Sequence, residues 1–240
     1  MTEHIVRAFE EELVSLGEKI AQMGGTVEKQ LAEAIDALDR RDSELAEKVI
    51  SDDKTADAFE QQIEEQAILM IVRRQPMALD LREIMAAIRV SAELERIGDL
   101  AKNVAKRVLA IGGEVQPKRL IRGVEHMSQL AMEQLKNVLD AFSQRDAEKA
   151  MEVWRRDEEI DAMYTSLFRE LLTYMMEDPR KITACTHLLF AAKNVERIGD
   201  HATNIAEMVY YLVHGEALTD QRPKGDETST TAIPYPVPEE

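Results

Sequence analysis

Residues 95–108 read Glu-Arg-Ile-Gly-Asp-Leu-Ala-Lys-Asn-Val-Ala-Lys-Arg-Val, and residues 196–209 read Glu-Arg-Ile-Gly-Asp-His-Ala-Thr-Asn-Ile-Ala-Glu-Met-Val, nine identities in 14 at an offset of 101. On a helix, positions i, i+4 and i+8 stand one above another. Glu95, Asp99 and Asn103 therefore form one polar stripe, and Glu196, Asp200 and Asn204 form a second.

Working outward, the repeat grows. From Asp36 to Ala58 the chain matches itself 104 positions later with ten identities in 23, among them Arg41/Arg145, Asp42/Asp146, Asp53/Asp157 and Asp57/Asp161. The change of offset places three extra residues in the first copy between Asp57 and Glu95, where a helix connection can absorb them. The chain is read as a tandem duplication of units of roughly 100 residues.

Prolines punctuate both units. Pro76, Pro117 and Pro179 fall between apolar-periodic segments, and the other four of the seven lie in the last 18 residues. With Arg40-Arg41-Asp42 and Arg145-Asp146 as further turns, the 3.6-residue period predicts six helices near 4–39, 43–74, 77–110, 118–142, 146–177 and 179–214. Gly24-Gly25 marks a kink or a split in the first. The fold class is all-α: two three-helix bundles in tandem, spanning 1–112 and 113–214, joined at Gly112-Gly113 and Pro117. After His214 the composition turns to Gly, Thr, Ser and Pro without an apolar period, so 215–240 reads as a disordered tail.

The third helix of each unit is apolar on more than one side. Val90, Leu94, Ile97, Ala101, Val104 and Val108 share one face, while Leu81 and Ile88 share the stripe of Glu95, Asp99 and Asn103. Ile182, Leu189 and Tyr211 flank Glu196, Asp200 and Asn204 in the same way. Both helices should lie between neighbours, with the acids partly screened from water. Gly98 and Gly199 each cost roughly 1 kcal/mol in a helix interior relative to Ala, which points to close backbone approach at the motif.

The second helix of each unit adds Asp53 with Asp57, and Asp157 with Asp161, again at i, i+4. In a short-looped bundle these face Glu95/Asp99 and Glu196/Asp200, so that four carboxylates converge per unit. Such acids must be protonated, matched by arginines, solvated, or bound to cations. Exposed acids at helical spacing are usually a solvated face, and Arg96 and Arg197 offer structural ion pairs, but the repetition favours a shared purpose. Carboxylate and amide oxygens suit Mg²⁺, Ca²⁺, Mn²⁺ or iron better than a thiolate-type zinc site. His201 lies off the face of Asp200, and an orienting role suits it better than ligation.

Composition removes several classes. A formal charge of −16 argues against a nucleic-acid backbone or an anionic membrane as partner. The lone cysteine, Cys185, has apolar neighbours and reads as a core residue. No signal sequence and no apolar run of membrane-spanning length is present, so a soluble, cytoplasmic protein is expected without direct membrane insertion. Catalytic residues are not expected: there is no Gly-rich phosphate loop, no nucleophile set, and no Glu-x-x-His of the kind a carboxylate-bridged dimetal enzyme uses. Such an enzyme and a purely structural scaffold are the rival readings.

The paired Glu-Arg-Ile-Gly-Asp strings, the upstream Asp-x-x-x-Asp pairs and the two three-helix units resemble the PhoU family of phosphate-signalling proteins, over roughly residues 4–214. The resemblance implies metal ions (Mg, Mn, Fe or Zn) at the acidic motifs. One site would comprise Asp53, Asp57, Glu95 and Asp99, with Asn103 as an outer member. The other would comprise Asp157, Asp161, Glu196 and Asp200, with Asn204. It further implies a homodimeric, non-enzymatic adaptor that represses the phosphate-starvation response by linking the ATPase of the high-affinity phosphate ABC transporter to a sensor histidine kinase.

Overall fold

The computed structural model describes residues 2–112, 118–220, 222, 224–226 and 228, with side chains from residue 8 onward. The Gly113 and Pro117 part of the junction and most of the final segment lie outside the described residues. Helix α1 (Thr2–Arg40) is followed by α2 (Ser43–Asp52), α3 (Lys54–Arg74) and α4 (Leu79–Ile111). The second unit repeats this as α5 (Lys118–Gln144), α6 (Ala147–Arg155), α7 (Asp157–Glu177) and α8 (Ile182–His214), with a short 3₁₀ turn at Pro179–Lys181. The described residues contain no strand. None of their helices is long and apolar enough to cross a membrane.

The same turn closes the first helix of each unit. Arg41 and Arg145 take the left-handed conformation at φ 55° and 52°. The next residue's N–H reaches back to Ala37 or Ala141, at 2.9 Å each, and so satisfies an orphan carbonyl at the helix end. Asp42 and Asp146 then cap the following helix, accepting from the N–H of Leu45 at 2.9 Å and of Lys149 at 3.0 Å. One Arg-Asp pair thus ends one helix and starts the next, twice.

Two expectations are refined. The middle helix of each unit is broken, at Asp53 and at Arg156, so six long helical segments contain two interruptions that no proline announces. At the second break Arg156 adopts φ −86°, ψ 3°, and its carbonyl accepts from the side-chain amide of Gln134 at 3.0 Å. Helix α1, by contrast, runs unbroken through Gly24-Gly25. Gly24 is there for proximity: a Cβ on it would lie 2.5 Å from a methyl carbon of Leu139 on α5.

Helices α4 and α8 are the centre of the molecule, packing on each other and each on the first helix of its own unit, while α1 also packs on α5. One continuous apolar cluster consequently runs through both units, with Leu94, Ile97 and Ala101 of α4 and Val195, Ile198 and Ala202 of α8 fully buried. Cys185 lies in it as a free thiol. The stripe that carries the acids is apolar only in part: Ile88 and Leu189 pack against the core, while Leu81 is 37% exposed and Ile182 is 47% exposed.

Gly98 and Gly199 are buried where the middle helix crosses. A Cβ on Gly98 would lie 3.2 Å from Gln30 Oε1 and 3.4 Å from Ala56 Cβ, and one on Gly199 would lie 2.9 Å from Ile160 Cδ1. The expected close approach is therefore present at both motifs. Gly98→Val is expected to lower the unfolding free energy by roughly 1–3 kcal/mol, because a branched side chain must push apart α1, α3 and α4. Denaturant titration against wild type checks this.

Candidate metal centres

Each middle-helix break carries an aspartate into the interior. Asp53, between α2 and α3, is only 4% exposed, and Asp157, which opens α7, is 2% exposed. A carboxylate at a helix N-terminus gains from the positive end of the helix dipole. That gain is too small to offset the loss of water, so each buried acid needs further partners.

In the first unit, Gln30 Nε2 on α1 donates to Asp53 Oδ1 at 2.9 Å. Lys102 on α4 takes Oδ2 of Asp53 and, at 2.7 Å, Oδ1 of Asp99, so one ammonium bridges the two aspartates. Their charge pulls the lysine well above its usual range, against the cost of its own burial. Asp57 lies one turn along α3, followed by Glu60. Burial raises the Glu95 carboxyl, and the nearby charges of Asp99, Glu60 and Asp57 raise it further. Glu60 is raised by burial and by Glu64 and Asp57. The charge of the exposed Arg96 partly opposes the rise at both Glu60 and Glu95.

The second unit uses the same plan with different cations. Thr203 Oγ1 donates to Asp157 Oδ1 at 3.1 Å. Arg222, from the segment after α8, donates through Nε to Asp157 Oδ2 at 2.8 Å and through an Nη to Asp200 Oδ1 at 2.6 Å. It spans Asp157 and Asp200 as Lys102 spans Asp53 and Asp99. Asp161, 4% exposed, accepts from the Gly225 N–H at 2.8 Å. Glu196, 5% exposed, accepts at Oε1 from Lys193 at 2.8 Å, while its Oε2 is buried without a partner. Burial pushes the Glu196 carboxyl up to about 7, with Lys193 partly opposing.

Eight of the sequence-identified residues thus gather as two clusters, and the two asparagines do not join them. Asn103 Oδ1 accepts from Lys106 at 3.3 Å. Asn204 Nδ2 donates to Glu93 of the other unit at 3.0 Å, beside His201 Nδ1 at 2.6 Å from the same carboxylate oxygen. Burial alone would raise Glu93; the bonds from His201 and Asn204 outweigh it and hold the acid below its ordinary range. These contacts tie α4 to α8, so His201 serves an interhelical bond. Arg96 and Arg197 are exposed and form no ion pair with the clusters among the described residues.

The sequence did not single out several participants, among them Gln30, Gln134, Thr203 and the three cations Lys102, Lys193 and Arg222. Gln30 and Gln134 stand 104 residues apart, in register with the repeat, and a longer comparison window would have paired them. The three cations have no repeat signal, since Lys102 corresponds to Thr203, Lys193 corresponds to Ala92, and Arg222 lies beyond the repeat.

As they stand, the described residues hold no group of three or more His, Cys, Asp and Glu side chains arranged for a metal ion. The donor chemistry nevertheless fits one. Every ligand atom offered is a carboxylate oxygen, as hard cations require. Each cluster already draws in an ammonium or guanidinium as counter-charge, and the second keeps a buried carboxylate oxygen unpartnered. Asp53, Asp57, Glu95 and Asp99 would hold a cation in one unit; Asp157, Asp161, Glu196 and Asp200 would hold it in the other.

The PhoU domain family matches the chain twice, over residues 20–108 and 124–209, once per unit. The chain is 60% identical over 227 residues to the phosphate-specific transport system accessory protein PhoU homolog of Rhizobium meliloti, covering 95% of this chain and 96% of that one. It is 39% identical over 216 residues to the phosphate-specific transport system accessory protein PhoU of Escherichia coli K12, covering 90% and 89%. The crystal structure of PhoU from Pseudomonas aeruginosa superposes with a TM-score of 0.81 at 40% identity, covering 87% of this chain and all of that one. That of the phosphate transport system regulatory protein PhoU from Streptococcus pneumoniae gives 0.81 at 29% identity, covering 88% and 99%. With both units matched and its relatives aligned over nearly their full length, the chain belongs to the PhoU family.

Proposed function

We propose that this protein is an accessory regulator of phosphate transport, working as a cytoplasmic homodimeric adaptor between the phosphate transporter's ATPase and a sensor histidine kinase. The names of its relatives, accessory and regulatory proteins of phosphate transport, support the phosphate role. The observation that carries the metal-dependent part is the duplication of a buried acid cluster, filled in each copy by a cationic side chain from a different part of the chain. Two unrelated counter-charges serving one acid plan support a reading in which the clusters are kept for their charge.

When bound, a divalent cation would supply the positive charge that Glu95, Glu196 and their neighbours lack. The chain's own residues do the rest. Asp53 and Asp157 reach in from the middle helix, and Asp99 and Asp200 meet them from the third, so neutralising the set holds the two helices together. The repressing surface would then be the outer face of a bundle whose helices are held at fixed spacing. The scaffold reading has one observation in its favour, since Lys102 by itself neutralises Asp53 and Asp99. Elemental analysis separates the two: purified protein should carry metal that Asp99→Ala with Asp200→Ala loses, and a chelator should lower the melting temperature of wild type only. A free cation at 100 times its Kd stabilises by about 2.7 kcal/mol.

The Glu196 carboxyl gives a pH signature in chelator. Its folded value, about 7, is above its ordinary value of 4.5. The folded state therefore favours the protonated form. Its contribution is complete below the unfolded value and is lost as pH rises through the folded one. Between about pH 5 and 8 metal-free wild type should lose roughly 1–3 kcal/mol that Glu196→Gln does not lose. Urea titrations at the two pH values read the difference.

The adaptor reading is tested by pull-down from phosphate-replete cells. Wild type should recover the histidine kinase and the transporter ATPase, and the variant lacking Asp99 and Asp200 should recover less of both. Recovery of neither by folded wild type overturns the reading.

A further inference from the structure

The two clusters differ in where their cation comes from. In the first unit Lys102 stands on α4 three residues from Asp99, part of the same helix. In the second, the corresponding position is Thr203, whose hydroxyl hydrogen-bonds Asp157 and brings no charge. The missing cation arrives from the segment beyond α8. Three residues of it are built into the site: Arg222 across Asp157 and Asp200, the Gly225 N–H on Asp161, and Asp226 on Lys193 at 2.9 Å. Thr228 fixes the last of these, donating from its N–H to Asp226 Oδ1 at 2.9 Å.

Length and shape both fit this seating. Asp200 lies 14 residues before His214, about 21 Å along the helix at 1.5 Å per residue. The seven steps from Gly215 to Arg222 cover about 23 Å at full extension. That length is sufficient for Arg222 to reach the level of Asp200. Gly225 lies so close to α7 that a Cβ would be 3.3 Å from Asp161 Cβ and 3.5 Å from the Glu158 carbonyl oxygen. The segment also leaves Oε2 of Glu196, on a side chain 5% exposed, without a hydrogen-bond partner.

We infer that the second acidic cluster is a binding site for the chain's own Arg222, Gly225 and Asp226, and that this strap and a divalent cation exclude each other there, while the first cluster is outside the strap's reach. The inference rests on the metal reading above. Strap and ion claim the same oxygens of Asp157, Asp161 and Asp200. A bound ion frees the segment from the face of α7 and α8, and loss of the ion returns it. The two units thereby differ in behaviour: one has a fixed internal counter-charge and the other an exchangeable one.

The test uses metal-free full-length protein titrated with Mn²⁺, free ion being read by electron paramagnetic resonance, for wild type, Arg222→Ala and Gly225→Leu. The first variant removes the guanidinium, and the second blocks seating by bulk without touching a carboxylate or a charge. Both are expected to tighten one of two Mn²⁺ sites by about tenfold or more and leave the other unchanged. Hydrogen exchange supplies a readout independent of affinity. The Gly225 amide of wild type should be protected without metal and should lose at least tenfold of that protection at saturating Mn²⁺. Equal Mn²⁺ affinities in all three proteins, or a Gly225 amide still protected with Mn²⁺ bound, overturns the inference and leaves the metal reading standing. No Mn²⁺ binding by any of the three overturns both.

Discussion

Two carboxylates held away from water, Asp53 and Asp157, set the terms for the rest of this structure. An ionised acid loses several kcal/mol of hydration on burial, and the loss is tolerable only where donors and a counter-charge converge on it. The convergence draws in all three helices of a bundle. Gln30 comes from the first, the aspartate from a break in the second, and Lys102 with Asp99 from the third. Gly98 and Gly199 lie beside these acids, at 3.7 Å and 3.9 Å from a carboxylate oxygen by the Cβ measure, because the helices must approach closely for short side chains to meet. The motif's glycine and its acids are thus one requirement expressed at two positions.

The same constraint explains what was legible in the sequence. Helix ends with local causes were readable: Arg41-Asp42 and Arg145-Asp146 combine an end and a cap within two residues. The central place of α4 and α8 was readable from their wide apolar faces, and the eight acids from their repetition. The breaks at Asp53 and Arg156 were not, because neither proline nor glycine marks them. At Arg156 a tertiary partner, the Gln134 side chain, takes over a carbonyl the helix would otherwise satisfy, whereas Asp53 keeps helical dihedrals and its carbonyl accepts from Ala56 at 2.9 Å, so the interruption there is slight.

The asparagines show the opposite failure. Asn103 and Asn204 share the acids' helical stripe and repeat with them, so spacing alone groups them with the ligands. Neighbouring residues of α8 nevertheless meet different elements: Thr203 bonds Asp157 of α7, while Asn204 and His201 bond Glu93 of α4. A stripe on one helix meets different neighbours along its length. Periodicity gives the face, and only the packing gives the partner.

The counter-charges were the least legible part, and physics accounts for it. An acid cluster fixes the sign of what must approach but not the element that supplies it, since an ammonium on a long flexible stem can come from the same helix, from a neighbour, or from a chain end. The first unit took the local solution. Lys102 is three residues from Asp99, so its presence costs little chain entropy and its charge cannot leave. The second unit holds Arg222 from beyond the end of α8, and fixing it there costs conformational entropy each time it seats. That cost is offset by a short tether, which keeps the guanidinium near the acids at an effective concentration on the order of millimolar. A counter-charge held on such terms fills the cluster without being fixed in it, which is what the proposed exchange with a doubly charged ion requires.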